Sequence, residues 1–148
     1  VNAANAHPFL APGAALAHNG TFRGKIGEEA DSRGISDTLV FLERLADRWR
    51  ERTLLPLREA LSEMLGNPGL VGDYSAANLL IASGDALFAL RKYRRNESYY
   101  TLFLRATPGR VEAASEPLDD APGWEPMGNG LLVELDPRAP RSVSLSSG

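Results

Sequence analysis

The spacing of apolar residues changes once along the chain, and this change predicts the class of fold. From residue 36 to residue 65, apolar residues recur every three or four positions, which is the period of an amphipathic helix. From residue 77 onward they form short runs separated by Gly, Pro, Asn and Asp, which is typical of strands joined by turns. Elements segregated in this way pack as a helical layer against an antiparallel sheet, so we expect an α+β fold.

Two amphipathic helices are expected in the first of these regions. Ser36 is predicted to cap the first helix, with Asp37 in its first turn and an apolar face over residues 39–49. The second helix is expected over residues 56–65, because proline is tolerated in a first turn and Gly66-Asn67-Pro68-Gly69 interrupts the pattern.

The apolar runs predict the strands, and the turn Ser83-Gly84-Asp85 joins two of them as a hairpin. Residues 1–14 and 23–35 show neither period and are expected to be loops. Residues 137–148 are expected to be a loose tail or a fading edge strand. The expected strands cover residues 15–18, 77–82, 86–90, 99–104, 111–114 and 131–135.

The predicted strands are apolar enough to require burial on both faces of the sheet. A run such as Asn78-Leu79-Leu80-Ile81-Ala82 is typical of a strand buried on both faces. The two helices can cover one face, and the sequence shows no segment that would supply a second layer. We therefore expect the other face to lack a partner in this chain.

Composition excludes several classes of function. The 148 residues correspond to one domain, and their net charge of −3 provides no general attraction to nucleic acid or to an anionic membrane. The sequence contains no cysteine, which excludes a disulfide framework, a zinc–thiolate site and a cysteine nucleophile within it. With two histidines, His7 and His18, it predicts no metal site, and no cofactor is implied.

Two charged segments give weak signals. Residues 91–95 place four basic side chains around one tyrosine, a composition also found where proteins contact nucleic acid. Since the net charge is negative, we interpret them as a solvated strand end and expect no nucleic-acid partner. The acidic residues Glu116, Asp119 and Asp120 lack the spacing of a calcium-binding loop and are interpreted as a solvated loop.

The chain begins with Val1, without the basic and apolar regions of a signal peptide. Its apolar runs are far shorter than the roughly 18–20 residues that span a bilayer. We expect a cytoplasmic protein with no membrane partner, and an internal start that reflects processing or truncation.

Three short segments indicate a family: Asn5-Ala6-His7-Pro8-Phe9, Ala17-His18-Asn19-Gly20-Thr21 and Ser36-Asp37-Thr38. In this order and spacing they resemble the class II glutamine amidotransferases, which are N-terminal-nucleophile hydrolases. Two later stretches, residues 78–85 and residues 114–118 with the following Trp124, fit the same resemblance. The resemblance covers roughly residues 2–135.

The resemblance implies an αββα sandwich, present here as a C-terminal portion with antiparallel strands and two helices. Residues 1–136 would form the C-terminal two-thirds of the amidotransferase domain, followed by a Pro/Ser-rich tail over residues 137–148. The implied reaction is hydrolysis of L-glutamine, with ammonia transferred to an acceptor that the sequence does not identify.

The resemblance also assigns roles to individual residues. In the family, an N-terminal cysteine attacks the glutamine amide and its own α-amino group serves as the base. Asn19 would donate its side-chain amide and Gly20 its backbone N–H to the oxyanion, while Asp37 would bind the substrate α-ammonium. His18, in the same segment as Asn19, is assigned to the substrate-binding residues.

The sequence departs from the family in lacking the nucleophile, and an arginine that grips the substrate carboxylate would also lie before Val1. Either the chain is part of an active enzyme, which we favour, or it is a complete but inactive relative. Two further alternatives are a non-catalytic binding or regulatory module on the same fold and a hydrolase of another amide. Taken alone, Asn19-Gly20 is also typical of a hairpin turn, and Asp37 of the first turn of a helix.

Overall fold

Helices, a six-stranded sheet and a three-stranded sheet form successive layers in the computed structural model, which describes residues 6–145. The strands of both sheets are antiparallel, which confirms the α+β class. The helices are α1 (Gly24–Arg33), α2 (Asp37–Arg48), α3 (Leu54–Leu65) and α4 (Pro68–Val71). The strands are β1 (Phe9–Ala11), β2 (Ala14–Gly20), β3 (Ala77–Ser83), β4 (Ala86–Arg91), β5 (Phe103–Thr107), β6 (Arg110–Ala114), β7 (Glu125–Pro126), β8 (Leu131–Glu134) and β9 (Arg141–Ser144).

The larger sheet has the strand order β1-β2-β3-β4-β8-β9, and the smaller sheet has the order β6-β5-β7. The β3–β4 hairpin was predicted correctly, including its turn. Strand β9 pairs with β8 at the edge of the larger sheet. Of the two forms expected for the C-terminal residues, a loose tail or an edge strand, residues 141–144 therefore adopt the edge strand.

Helices α2 and α3 confirm the helical spacing. Ser36 caps α2, its Oγ accepting a hydrogen bond from the Thr38 backbone N–H at 3.2 Å. Helix α3 begins two residues earlier than expected and carries Pro56 in its first turn, where no intrahelical N–H is needed.

The expectation of two helices was wrong. Helix α1 lies in the segment expected to be a loop, and α4 begins within the Gly66–Gly69 segment that was expected to end the second helix. Helix α1 buries only two side chains, Ile26 and Ala30, so its apolar period is too weak to detect. Its start is set by a close backbone crossing, since a Cβ on Gly24 would lie 2.8 Å from the backbone nitrogen of Gly72. The Arg23 backbone N–H also donates to the carbonyl of residue 71 at 2.9 Å.

The main core lies between the helices and one face of the six-stranded sheet. Trp49, which caps the C-terminal end of α2, is fully buried and contacts the Phe88 ring edge-on, with ring centroids 5.4 Å apart. Residues of alternate positions on β2 and β3, such as Leu16 and Ile81, face the helices. Burial of the apolar side chains on this face stabilises the packing of the helices against the sheet.

The second face of the sheet is also covered, contrary to expectation. Ala89 and Val133 of the larger sheet form a second buried cluster with Leu102 and Met127, and Leu104 of β5 packs against it. The cover is therefore the smaller sheet, built from residues that follow the larger sheet's central strands in sequence. The described residues build three layers of the expected αββα sandwich.

The positions of β1 and β5 differ from the sequence prediction. Strand β1 lies inside the expected N-terminal loop, and pairs with the start of β2. Strand β5 begins four residues later than expected, because the carbonyls of Tyr100 and Thr101 accept hydrogen bonds from the side chains of Arg91 and Asn78. Those carbonyls are thus bonded to side chains and not to a neighbouring strand.

Candidate active site

The segment His18-Asn19-Gly20 forms the last three residues of β2. Asn19 and Gly20 pair in register with Asn78 and Ala77 of β3, so they continue the strand and do not form a hairpin turn. Gly20 has φ +149°, and a Cβ there would lie 1.9 Å from the Ala76 carbonyl oxygen and 2.6 Å from His18 Nε2. A side chain cannot occupy this position, which is why the residue must be glycine.

Asn19 is exposed and lines a largely apolar pocket of about 240 Å³. Among the described residues, none forms a hydrogen bond with its side-chain amide, so that amide is available to a ligand. Its cross-strand neighbour Asn78 is buried, and both ends of its side-chain amide are hydrogen-bonded within the protein. Asn78 Nδ2 donates to the Thr101 carbonyl at 3.3 Å, and its Oδ1 accepts from the Lys92 backbone N–H at 3.2 Å.

His18 is buried with both ring nitrogens in contact with protein atoms. Its Nδ1 lies 3.0 Å from Thr38 Oγ1 and its Nε2 lies 3.2 Å from the Ala76 carbonyl oxygen. The ring stacks on Phe22, with centroids 4.4 Å apart. Burial lowers the pKa of His18 from 6.5 to about 4, although the bond to Ala76 and the charge of Asp37 act in the opposite direction. The imidazole is therefore neutral near pH 7.

Asp37 lies half-buried in the first turn of α2. Its Oδ2 accepts a hydrogen bond from the Phe22 backbone N–H at 2.6 Å, and its Oδ1 accepts one from the Thr38 backbone N–H at 2.8 Å. The carboxylate also lines a pocket of about 450 Å³ between α1 and the start of α2, where Glu28 and Asp31 add acidic groups. This location combines the negative charge with the positive end of the helix dipole.

The structure brings some of the predicted residues together and separates others. His18 and Asp37 are joined through Thr38, and Asp37 bonds to Phe22, two residues beyond Gly20. Asn19 and Asp37 line different pockets that share no lining residue. His7 lines the Asn19 pocket, and Asn5 of the first segment lies outside the described residues.

Sequence reasoning missed three residues that organise this region: Phe22, Asn78 and Arg91. A polar residue inside an apolar run, as at Asn78, was the one available signal, since a buried amide needs partners. Phe22 could not be detected because its role depends on contacts with residues distant in sequence.

The basic segment at residues 91–95 is not a uniformly solvated strand end. Arg91 is buried and donates to three backbone carbonyls, those of Tyr100 at 3.0 Å, Met127 at 2.6 Å and Glu97 at 3.1 Å. Arg95 pairs with Asp73 at 2.9 Å on the surface. The cluster is therefore divided between an internal clamp and an exposed ion pair.

The acidic stretch at residues 116–120 is partly organised by an arginine. Arg105 is buried, pairs with Glu112 at 2.8 Å and Asp119 at 2.6 Å, and lies over the Trp124 ring. Hydrogen bonding by Arg105 lowers the pKa of Asp119 below its usual range. Over residues 6–145, no three His, Asp or Glu side chains come together as a metal site requires, and no helix is long and apolar enough to cross a membrane.

Comparisons with known proteins bear on the fold. No family model and no curated protein matches the sequence. A glutamine aminotransferase class-II domain protein from Silicibacter pomeroyi matches with a TM-score of 0.72 and 19% identity, over 95% of this chain and 72% of its own. The glutamine phosphoribosylpyrophosphate amidotransferase from B. subtilis, complexed with ADP and GMP, matches with a TM-score of 0.61 and 19% identity, over 91% of this chain and 30% of its own. A predicted glutamine amidotransferase from Pseudomonas aeruginosa PA01 matches with a TM-score of 0.56 and 20% identity, over 93% and 65%.

The chain has the class II glutamine amidotransferase fold. This confirms the fold that the three sequence segments implied. The chain spans less than a third of the B. subtilis enzyme and about two thirds of the Pseudomonas protein. The TM-scores of 0.56–0.72 establish a shared fold, and at identities near 20% they establish the fold alone.

Proposed function

We propose that this chain forms the oxyanion- and ammonium-binding part of a domain that hydrolyses L-glutamine and releases ammonia for transfer to an acceptor. The nucleophile would be a cysteine supplied by a segment outside these 148 residues, since the sequence contains none. The proposal includes a cytoplasmic location and an acceptor whose chemistry these residues do not specify. No metal or cofactor takes part in it.

The observation that supports the proposal is the end of β2. A glycine that admits no Cβ lies beside an asparagine whose side-chain amide meets no described protein group and opens into a pocket. Attack on an amide carbon places negative charge on its oxygen, and fixed neutral donors stabilise that charge without reorganising. Asn19 Nδ2–H and the Gly20 backbone N–H would be those donors.

Asp37 would bind the α-ammonium of the substrate. Its carboxylate already accepts two backbone hydrogen bonds and one from the Ser36 hydroxyl. A carboxylate has about four acceptor positions, so one position on Oδ2 remains for an ammonium. Its partner Phe22 is two residues from Gly20, and two residues of extended chain span at most about 7 Å. This is comparable to the length of glutamine between its side-chain amide and its α-ammonium, so one glutamine is long enough to extend along the Gly20–Phe22 segment from the Gly20 backbone N–H toward Asp37.

The experiment is a titration of the isotope-labelled chain with L-glutamine, followed by nuclear magnetic resonance. Resonances of the Asn19 side-chain amide are expected to shift, and Asp37→Asn is expected to weaken L-glutamine binding by at least about tenfold, since hydrogen bonds to charged groups contribute about 1.5–3 kcal/mol. Glutaramate, which is glutamine without the α-amino group, should bind wild type and Asp37→Asn equally.

Asp31→Asn is the matched control, because Asp31 lines the same pocket as Asp37 but is exposed. It should change neither affinity. Equal losses on L-glutamine and glutaramate in Asp37→Asn would refute the ammonium-binding role. An Asn19 amide that does not respond to either ligand would refute the oxyanion role.

The absence of cysteine also favours a second candidate, a non-catalytic module that binds glutamine. It predicts the same binding to this chain, but no ammonia release from any protein that contains it. A third candidate, hydrolysis of another amide, predicts that glutaramate binds as well as L-glutamine. The titration therefore separates the third candidate from the first two, and a glutaminase assay separates those two.

A further inference from the structure

A closed circuit of contacts surrounds the segment Asn19-Gly20-Thr21. The His18 ring contacts the Thr38 hydroxyl, and the Thr38 backbone N–H donates to Asp37. Asp37 in turn accepts from the Phe22 backbone N–H, and the Phe22 ring stacks back on His18 at nearly parallel orientation, 13° between planes. We refer to these four residues, His18, Thr38, Asp37 and Phe22, as the His18 circuit.

The hydrogen positions in the circuit follow from the chemistry of its partners. The Ala76 carbonyl can only accept, so His18 Nε2 carries the proton, and in the neutral ring Nδ1 is an acceptor. The Thr38 hydroxyl has one hydrogen, and Nδ1 at 3.0 Å is nearer to it than Asp37 Oδ1 at 3.5 Å. The hydroxyl therefore donates to His18, and neither nitrogen of the ring is left for a ligand.

The circuit is also sterically tight. Phe22 lies between two rings, 4.4 Å from His18 and 4.3 Å from Phe41 by centroids. His18 Nε2 occupies the space that a Gly20 Cβ would need. The His18 ring therefore contacts the end of β2, the start of β3 through Ala76 and the start of α2 through Thr38. A displacement of α2 relative to β2 would break at least one of these contacts.

We propose that His18 is a positioning residue that holds the Asn19–Gly20 amide donors and the Asp37 carboxylate at a fixed separation, and thereby selects amides that carry an α-amino group. This inference rests on the proposed function of Asn19 and Asp37. It differs from the sequence expectation, in which His18 binds the substrate directly. Here both ring nitrogens of His18 are occupied by protein partners, and the ring acts through Thr38.

The test removes one hydroxyl from the circuit. Thr38→Val keeps the side-chain shape but leaves His18 Nδ1 without its donor, whereas Thr38→Ser keeps the hydroxyl. The readout is the ratio of L-glutamine to glutaramate affinity, measured by titration of the isotope-labelled chain. We expect Thr38→Val to lower this ratio by about 3- to 30-fold, as for coupling between sites, and Thr38→Ser to keep it.

A second readout reports the geometry directly. The Phe22 amide proton is expected far downfield in wild type, because its hydrogen bond to the Asp37 carboxylate is short. It should move upfield in Thr38→Val and remain in place in Thr38→Ser. If Thr38→Val does not fold, His18→Gln replaces it, since a glutamine amide can retain the Nε2–H bond to Ala76 while losing the contact with Thr38.

The outcomes separate this inference from the proposed function. If Asp37→Asn leaves the affinity ratio unchanged, the ammonium site is wrong and this inference fails with it. If Asp37→Asn lowers the ratio but Thr38→Val and His18→Gln do not, the proposed function stands and the positioning role of His18 is refuted. Equal weakening of both ligands by Thr38→Val would show a merely structural role and would also refute it.

Discussion

Acidification is expected to destabilise the fold through His18, beginning at a pH above the range in which carboxylates are protonated. The buried ring has a pKa of about 4 in the folded chain, against 6.5 for an ordinary histidine. Between these values the unfolded chain binds a proton that the folded chain does not. The contribution of His18 to the free energy of unfolding is therefore fully present above about pH 6.5 and is lost as the pH decreases toward 4.

The magnitude follows from the size of the shift. Each pH unit within this window costs up to about 1.4 kcal/mol for one such group. Lowering the pH from about 7.5 to about 5 crosses roughly 1.5 units of the window, so the free energy of unfolding should fall by about 2 kcal/mol. This range stays above the ordinary pKa of carboxylates. The acids whose pKa is lowered further, such as Asp136 at about 2, do not contribute there.

The assay is urea denaturation across this pH range, on wild type and on two histidine variants. His18→Gln cannot be protonated and should lose most of the pH dependence, at the cost of a lower free energy of unfolding throughout. His7→Gln is the control, because His7 is exposed and its charge is the smallest contribution to the lowered pKa of His18, so most of the wild-type slope should remain. An equal slope in wild type and His18→Gln would refute the reasoning, as would a His18 resonance that titrates near pH 6.5.

Three further predictions concern the backbone, the internal arginine and activity. Gly20→Ala should lower the free energy of unfolding by at least about 3 kcal/mol in the same urea assay, because its Cβ would meet the Ala76 carbonyl. Its control is Gly84→Ala, at a turn with open space and φ +57°, which should cost about 1 kcal/mol. Arg91→Lys should lower the free energy of unfolding by about 2–4 kcal/mol, since an ammonium cannot reach three carbonyls in different directions. Arg95→Lys on the surface is its control and should change the free energy of unfolding by less than about 0.5 kcal/mol. The purified 148-residue chain should release no ammonia from L-glutamine in a coupled assay, because it has no cysteine; measurable release would overturn the proposed mechanism.

Local patterns in the sequence were sufficient for the elements whose own residues supply the signal. Helix α2 has a cap at Ser36 and a strong apolar period, and the β3–β4 hairpin has two apolar runs around a turn. In both cases the energetic contributions come from residues within a few positions of one another, so the sequence alone determined type and approximate bounds. The sequence likewise predicted a strand that reaches His18, which β2 confirms, and the roles of Asn19 and Gly20 stay a prediction.

The tertiary structure decided the features that depend on distant residues. Helix α1 buries two side chains and begins where two glycine backbones cross, so its own sequence carries little helical signal. Asn19-Gly20 has the composition of a hairpin turn, but pairing with β3 and the clearance at Ala76 keep it extended. The neutrality of His18 also arises only on folding, because burial lowers its pKa and burial is a property of the whole packed chain. Hydrogen bonds and packing between residues such as His18 and Thr38, twenty positions apart, exist only once the layers have assembled, and no local pattern encodes them.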